Sequence, residues 1–499
     1  MESSGAESTM QPTAEDYLEQ PGSDEKPDYD PYLIDSFEEG DPANPQNWSK
    51  LQRWYLTVFS GLLVLNATFA SAARQSNPFL RLAIIHGIMS ASGIAPLLAE
   101  HYHLSAEGTT LALSLFIIFQ VAAALANNAA SLLIFRFIGG MFAAAPLTNS
   151  GAIIADVWDA STRGSYPFVY APSTCSPVCA GKALALFTLA PFAGKFFFTE
   201  WYGFIAVTGT DFHWIFWIQA IFAAVCTILA FFTVPETYVP VLLVAAAAKK
   251  RDETGDAKYY ARLETAKVSM AERFESIVAR PFKVLGTEPM LIVLTFYMSF
   301  VYGCLYLLFE AYPIVFTRGH GLNPGVSGLT FFPILLGGVA GVMLSIIVFN
   351  PRYEKKVAEL APAPVPPEFR LEMTLLAAPL YAISFFWFGW TSYPSISLWA
   401  PMMSGGIMGL AINGIFLSLF NYIIDTYLHV AATALAANTI IRSIFGAVFP
   451  LFATQMFDGL GPQWAASVLG FVALAMVPVP IVLIRYGPYL RSKSRHAPT

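Results

Sequence analysis

Apolar residues run along this chain in blocks of about twenty, not in the short alternations of a soluble domain. Runs at 51–73, 130–155, 183–207, 213–234, 289–316, 327–349, 373–391, 397–420, 433–455 and 463–485 are long enough to cross a bilayer. Such a crossing takes about 20 mostly apolar residues. A further run at 109–126 is just long enough. Many of these runs hold Gly or Pro, which membrane helices tolerate because neighbouring helices satisfy the freed backbone groups. Gly337 with Gly341, and Gly405 with Gly409, are small-xxx-small pairs inside apolar runs. They predict close helix contact rather than mere flexibility.

The polar stretches between the runs give the chain its orientation. Residues 235–286 interrupt the spans and carry nine Lys/Arg between Lys249 and Lys283. Positive residues stay on the cytoplasmic side, so this loop is expected inside. Beyond it the pattern alternates: Arg352, Lys355, Lys356 and Arg370 follow one span, and Arg485, Arg491, Lys493 and Arg495 mark the tail. The loops at 318–325, 391–396 and 456–462 hold one basic residue, Arg318. Six spans with both ends inside fit this half. Two bundles of about six helices around a basic cytosolic loop form the plan of secondary transporters built from repeated halves.

Composition supports a lipid solvent. Of 499 residues, 56% are hydrophobic and 12% charged, with mean hydropathy +0.55. Soluble domains carry about twice that share of charge. The net charge of −6 hides a split: residues 1–41 hold thirteen acids against Lys26, which leaves the remainder at +6. A nucleic-acid protein would be basic throughout, and no nucleic-acid partner is expected. Four cysteines are too few for a disulfide scaffold. No apolar segment behind basic residues occurs in residues 1–47, so the first span is expected to serve as an uncleaved signal. The predicted organisation is a disordered acidic cytoplasmic tail (1–47), an N-terminal bundle (48–240), a basic cytoplasmic linker (241–286), a C-terminal bundle (287–486) and a cytoplasmic tail (487–499).

Several strings resemble one fungal group, the drug:proton antiporters of the major facilitator superfamily, including its polyamine-exporter branch. They are DPANPQNWSK (41–50), RFIGGMFAAAPLTNSGAIIADVWD (136–159), VPETYVPVLL (234–243), ETGDAKYYA (253–261), FEAYPIVF (309–316) and ALAANTIIRSIFGAVFPLF (434–452). The resemblance covers roughly 41–73, 94–164, 182–194 and 205–490. It implies an all-α major facilitator fold of two six-helix bundles, with about 11–12 transmembrane helices and one N-half helix pair apparently fused. It also implies a monomer in the plasma membrane that exports a small organic solute (drug, polyamine or secondary metabolite) against entering protons. Such a protein is not an enzyme.

The chain departs from that family's pattern in its first half. No G-x-L-x-D/E-x-x-G-R-R string follows a second helix; instead ALSLF (112–116) runs directly into IIFQVAAALA (117–126). Residues 165–181 separate Arg163–Gly164 from KALALF, and RQSNPFLRLAIIHGIMSA (74–91) also has the character of an insert. The fifth helix reads APFAGKFFFTEWYGF (190–204) in place of G-P-x-x-G-P-x-x-G-G, with Lys195, Glu200 and Trp201 where small residues belong. Topology raises the same problem. With the first span ending outside and 130–155 starting outside, 109–126 alone cannot join them. Either it does not cross, or 78–99 crosses too. Retained intron sequence and a lost exon would produce this pattern, leaving a degenerate, non-transporting membrane protein as the alternative reading.

Ionisable residues inside spans cost about 2.5–3.5 kcal/mol each on insertion scales, so they usually have a partner or a task. By resemblance, Arg136 with Gly140 forms the family's R-x-x-x-G element, implicated in proton coupling; the bland reading is an anchor snorkelling to the headgroups. Glu310, deep in 289–316, can hold a proton or a cationic solute, as antiport requires, or a structural hydrogen bond. Pro313 beside it is expected to open a kink. Asn413, Asn438 and Arg442 complete the candidate solute and proton pathway; helix-to-helix bonding is the stronger expectation for both asparagines, and Arg442 is expected near the cytoplasmic end. By resemblance, Asp156 and Arg163, which bracket a cytoplasmic loop, hold the inward gate shut, and Asp425, following 397–420 at its inner end, is a gate contact or a residue of a solvated loop. Tyr297, Phe300, Tyr302, Tyr306, Tyr312, Trp387 and Trp390 could stack on a flat or cationic solute, or simply pack. Scattered histidines offer no metal site, and no Gly-rich phosphate loop points to ATP, so no cofactor is expected.

Overall fold

A computed structural model describes residues 30–37, 40–71, 106–158, 208, 211, 213–265, 275, 279–360, 365–427 and 430–495. The suspected inserts at 74–91 and 165–181, the altered fifth helix at 190–204, the run at 183–207 and Arg163 lie outside the described residues. The first half contributes α1 (Lys50–Ser71), α2 (Ala106–Ala124), α3 (Ala129–Trp158) and α4 (His213–Thr233). Helix α2 runs without a break through the ALSLF–IIFQ junction.

Contacts at the helix ends fix the direction of each. At one end the start of α1 meets the ends of α3 and α4. There Trp158 Nε1 donates to Thr57 Oγ1 (2.7 Å), Tyr55 donates to Thr233 (2.5 Å), and Leu56, Val157 and Trp158 pack together. At the other end α2 turns into α3 at Asn128, whose Oδ1 accepts from the Ser131 amide at 2.7 Å and caps the new helix. His213, at the start of α4, lies 3.3 Å from the Ala126 carbonyl there. So α1 and α2 run parallel, and α3 and α4 run opposite to them. Helix α2 lies along α3 and α4 as a bundle helix, and the run 78–99 lies outside the described residues.

After α4 comes α5 (Val239–Thr254), which ends at Gly255 in the left-handed region (φ 68°). Arg251 secures the following turn: it donates to the Tyr259 carbonyl at 2.8 Å and bonds the Glu264 carboxylate at 2.9 and 3.1 Å. This turn presents β2 (Tyr260–Ala261), which pairs in parallel with β1 (Leu33–Ile34). Ile34 and Phe37 pack on Leu243, Ala247 and Ala261, and Asp30 accepts from the Tyr260 hydroxyl at 2.7 Å. The last third of the acidic tail, expected to be disordered, is thus folded against the linker. Composition missed it because two short strands 227 positions apart leave no periodic signal.

The second half is built from α6 (Arg280–Thr287), α7 (Pro289–Pro313), α8 (Phe332–Leu344), α9 (Asn350–Leu360), α10 (Glu372–Thr391), α11 (Trp399–Thr426), α12 (Ala431–Met476) and α13 (Pro478–Ser492). Beyond Pro313, α7 continues as a wider-wound turn, Ile314–Gly319, where the proline has removed a backbone donor. Helix α12 holds the run read as 433–455 and the start of 463–485, which continues into α13. It is broken at Gly461 (φ 76°), followed by Pro462, so a kink stands where a 456–462 loop was expected. Among the described residues, six helices are long and apolar enough to cross a membrane.

Glycine sets the closest approach in this half. A Cβ on Gly337 would run into the Gly406 carbonyl, and one on Gly409 into that of Ile334. On Gly341 it would lie 3.3 Å from Asn413 Cβ, and on Gly405 it would lie 2.7 Å from the Tyr312 hydroxyl. The two small-xxx-small pairs therefore face each other across the α8–α11 seam, where backbone meets backbone.

Candidate functional site

Arg442 sits eleven residues into α12, well away from the helix end where it was expected. Its guanidinium lies over three rings: Tyr302 of α7 at 4.9 Å, and Phe420 and Phe416 of α11 at 5.4 and 5.7 Å. Its Nε is buried without a hydrogen-bond partner among the described residues. The ring faces offset part of the cost of holding a cation there. Gly446, one turn along, makes room for this packing, since a Cβ there would lie 2.8 Å from the Tyr302 ring.

Tyr302, Tyr306 and Glu310 stand at i, i+4 and i+8 on one face of α7. The two hydroxyls are 3.2 Å apart. Glu310 is half-buried about 12 Å along the helix from Tyr302 by helical rise, one turn before Pro313. A carboxylate and two phenols thus share one face of α7, and the Arg442 guanidinium of α12 meets that face at Tyr302.

Asn438, one turn before Arg442, is fully buried and donates to Thr295 Oγ1 of α7 at 3.4 Å; this is a bond between helices. Asn413 of α11 is also buried, at the α8 seam, yet neither of its side-chain polar atoms has a hydrogen-bond partner among the described residues. The expected bonding role fits Asn438 and not Asn413. Asp425, expected at an inner helix end, lies in the last turn of α11 and accepts from Arg370 Nε at 2.7 Å. Arg370 in turn stacks on Tyr353 at 3.5 Å. Asp156 is half-buried in the last turn of α3.

Arg136 is 8% exposed inside the N-terminal bundle, with its guanidinium 5.3 Å over the Phe216 ring of α4. It faces neighbouring helices rather than the headgroups. The helices of this half also hold three buried polar residues not singled out from sequence: Asn66 (α1), Gln120 (α2) and Gln219 (α4). Their signal was a lone amide inside an apolar run. Of the aromatic candidates, Trp387 and Trp390 face outward, and Trp390 packs on Trp464. Tyr312 is stacked between Phe331 and Phe388 and belongs to the core. Tyr302 and Tyr306 alone among them join the Arg442 cluster.

An apolar helical bundle that buries charges along shared helix faces defines a membrane transporter rather than an enzyme. The chain belongs to the Major Facilitator Superfamily, whose family profile matches residues 108–450. It is 34% identical to the major facilitator superfamily multidrug transporter mdrA of Aspergillus fumigatus, covering 94% of this chain and 76% of that protein. It is 35% identical to the citrinin biosynthesis cluster transporter mrr1 of Monascus ruber, over 97% and 96% of the two chains. Among solved structures it is similar to the proton:xylose symporter XylE, with TM-score 0.57 at 15% identity over 88% of this chain and 96% of that one. The human organic anion transporter MFSD10 aligns with TM-score 0.58 at 14% identity, over 88% and 100%. At such identities these two structures establish the fold alone.

Proposed function

We propose that the protein is a secondary active exporter, coupling outward movement of a hydrophobic or cationic organic solute to proton entry. The observation that carries this is the α7 face Tyr302–Tyr306–Glu310 set against Arg442. Glu310 is the one carboxylate of that face and can hold a proton or a solute cation, but not both. Arg442, fixed among rings, repels a cation from its end of the face and so favours release once Glu310 is protonated. Arg136 completes the proton route in the N-terminal bundle, while Asn413 and Asn438 border the solute path. The Arg370–Asp425 pair, with Asp156 and Arg163, forms the gate at the end rich in basic residues, taken as cytoplasmic.

Drugs, polyamines and a secondary metabolite all fit this face. The names of relatives, a multidrug transporter and a biosynthesis-cluster transporter, support the drug and secondary-metabolite part of that range. The plasma membrane and a monomeric state complete the reading, with the five-part organisation at boundaries 47, 240, 286 and 486. Uptake of radiolabelled spermidine and of a fluorescent lipophilic cation into inverted vesicles tests it. A pH gradient is expected to drive uptake; uptake indifferent to the gradient but driven by ATP contradicts antiport.

A second reading, a membrane-inserted chain that does not transport, is favoured by Lys195 and Glu200 in the fifth-helix run. These are five apart and poorly placed to pair along a helix. Expression beside a repaired form, lacking 74–91 and 165–181 and with the missing loop and glycines restored, separates the readings. Equal export by both forms removes the second.

A further inference from the structure

At the end of the C-terminal bundle where the basic residues gather, α9, α10 and α11 enclose a cavity of about 250 Å3. It is separate from the Arg442 face. Arg352, Lys355, Lys356 and Arg370 line it, against two carboxylates, Glu359 and Glu372. Arg370 is already committed to Asp425. Lys356 and Lys355 share Glu359, at 2.8 and 3.9 Å, and Arg352 has no ion pair among the described residues. One carboxylate therefore holds two ammonium groups while a guanidinium beside them is uncompensated. Asn350 adds a buried amide nitrogen with no acceptor among the described residues. Between these donors the wall is apolar: Phe349, Phe369, Met373 and Leu417.

We propose that this cavity binds the phosphorylated headgroup of an anionic membrane lipid. Several ammonium and guanidinium donors converging with a free amide suit a phosphate dianion, whose oxygens accept from all of them. The apolar wall suits the glycerol and first methylenes of a lipid, which a free phosphate lacks. The position suits it as well, since α9 forms the charged last part of the candidate span Pro324–Leu360, and the end of a span is where lipid headgroups are expected. Glu359 acts as the internal competitor, occupying the lysines until a stronger anion displaces it. Binding would tie α9 to α10 and α11, beside the Arg370–Asp425 pair, and so bias that end of the bundle toward its closed arrangement.

Native mass spectrometry of the purified full-length chain tests the proposal. The probes are dioleoyl phosphatidylinositol 4-phosphate, dioleoyl phosphatidylcholine, and inositol phosphate without acyl chains. The chain is expected to retain the phosphoinositide and not the phosphatidylcholine. Lys355→Ala with Lys356→Ala should weaken retention roughly ten- to thirty-fold, as two near-surface cations would. Their side chains are 79% and 44% exposed, so folding should be spared. Lys249→Ala with Lys250→Ala, equally basic but on α5, should leave retention unchanged, and Glu359→Gln should strengthen it. Tight binding of inositol phosphate at the same residues would move the source from lipid to soluble phosphate, overturning the lipid assignment. Equal retention by the wild type and the Lys355/Lys356 variant would overturn the site itself.

Discussion

In the C-terminal half one apolar cluster runs without interruption from Val284 to Leu483, whereas the described helices of the N-terminal half meet in four smaller clusters. The helix contacts differ in kind as well. Between α8 and α11 backbone meets backbone through facing glycines. Between α2 and α3 the rings of Phe119 and Phe142 stack with centroids 5.7 Å apart, and a Cβ on Gly139 would lie 3.2 Å from the Phe119 Cβ, a side-chain and not a backbone contact. Buried polar groups follow the same division. In the second half, Asn438 bonds across to α7 and Arg442 is enclosed by three rings. Buried ion pairs close the second half at one end. In the first half, the Arg136 guanidinium lies over Phe216, and Trp158 donates to Thr57. Among the described residues, the second half is the more continuously packed of the two.

The largest effect should come from the glycine seam. Gly337→Leu or Gly409→Leu drives a side chain into backbone that no rotamer change can clear. The expected destabilisation exceeds the ordinary overpacking cost of about 1–3 kcal/mol. Loss of monodisperse protein in fluorescence-detected gel filtration checks this; Gly139→Leu, where a Cβ would meet only the Phe119 side chain, at 3.2 Å, should be milder. If both behaved alike, the contrast between the halves would fail.

Removing one partner of the buried pair Glu368–Arg491 should come next. Arg491 Nε donates to Glu368 Oε1 at 3.0 Å, with side chains 16% and 8% exposed. Glu368→Ala strands a guanidinium near the bundle end, at the lower end of the usual 3–5 kcal/mol because some exposure remains. A thermal shift assay in detergent reads it. The double change Glu368→Ala with Arg491→Ala should recover much of the loss.

How much of this contrast is legible in the sequence depends on the kind of signal. Span limits are: α1, α3, α4 and α10 begin and end within a few residues of the apolar runs, because bilayer thickness fixes run length. The facing glycines are, because spacing four apart puts them on one stripe. The setting of Arg442 is not. Its neighbours Tyr302, Phe416 and Phe420 come from two other helices, and no local pattern announces them. The isolation of Asn413 was equally hidden, since its outcome depends on what α8 offers across the seam, and α8 offers glycine. The β1–β2 pair escaped for a third reason: four residues carry no periodicity.

That pair gives a smaller, pH-dependent effect. The Tyr32 amide and then the Tyr260 hydroxyl hold the Asp30 carboxyl below its ordinary range. The same carboxylate raises the Tyr260 phenol above its own. The contribution of Asp30 is therefore present above its unfolded value and lost as pH falls through the lowered one. That of Tyr260 is present below about pH 10 and lost as pH rises through its raised value. Limited proteolysis of the segment 30–49 should be slowest near neutrality and faster at both extremes. Tyr260→Phe should abolish the alkaline arm and leave the bundle unchanged.

Glu310, on the α7 face that carries Tyr302 and Tyr306, is the group proposed to couple solute to proton. The most direct measurement compares wild type and Glu310→Gln in proteoliposomes, scoring gradient-driven accumulation of spermidine against simple exchange of labelled for unlabelled spermidine at equal pH. Wild type is expected to do both, whereas Glu310→Gln, isosteric but unable to change charge, should keep exchange and lose accumulation. Accumulation by Glu310→Gln as steep as that of wild type would contradict the assignment.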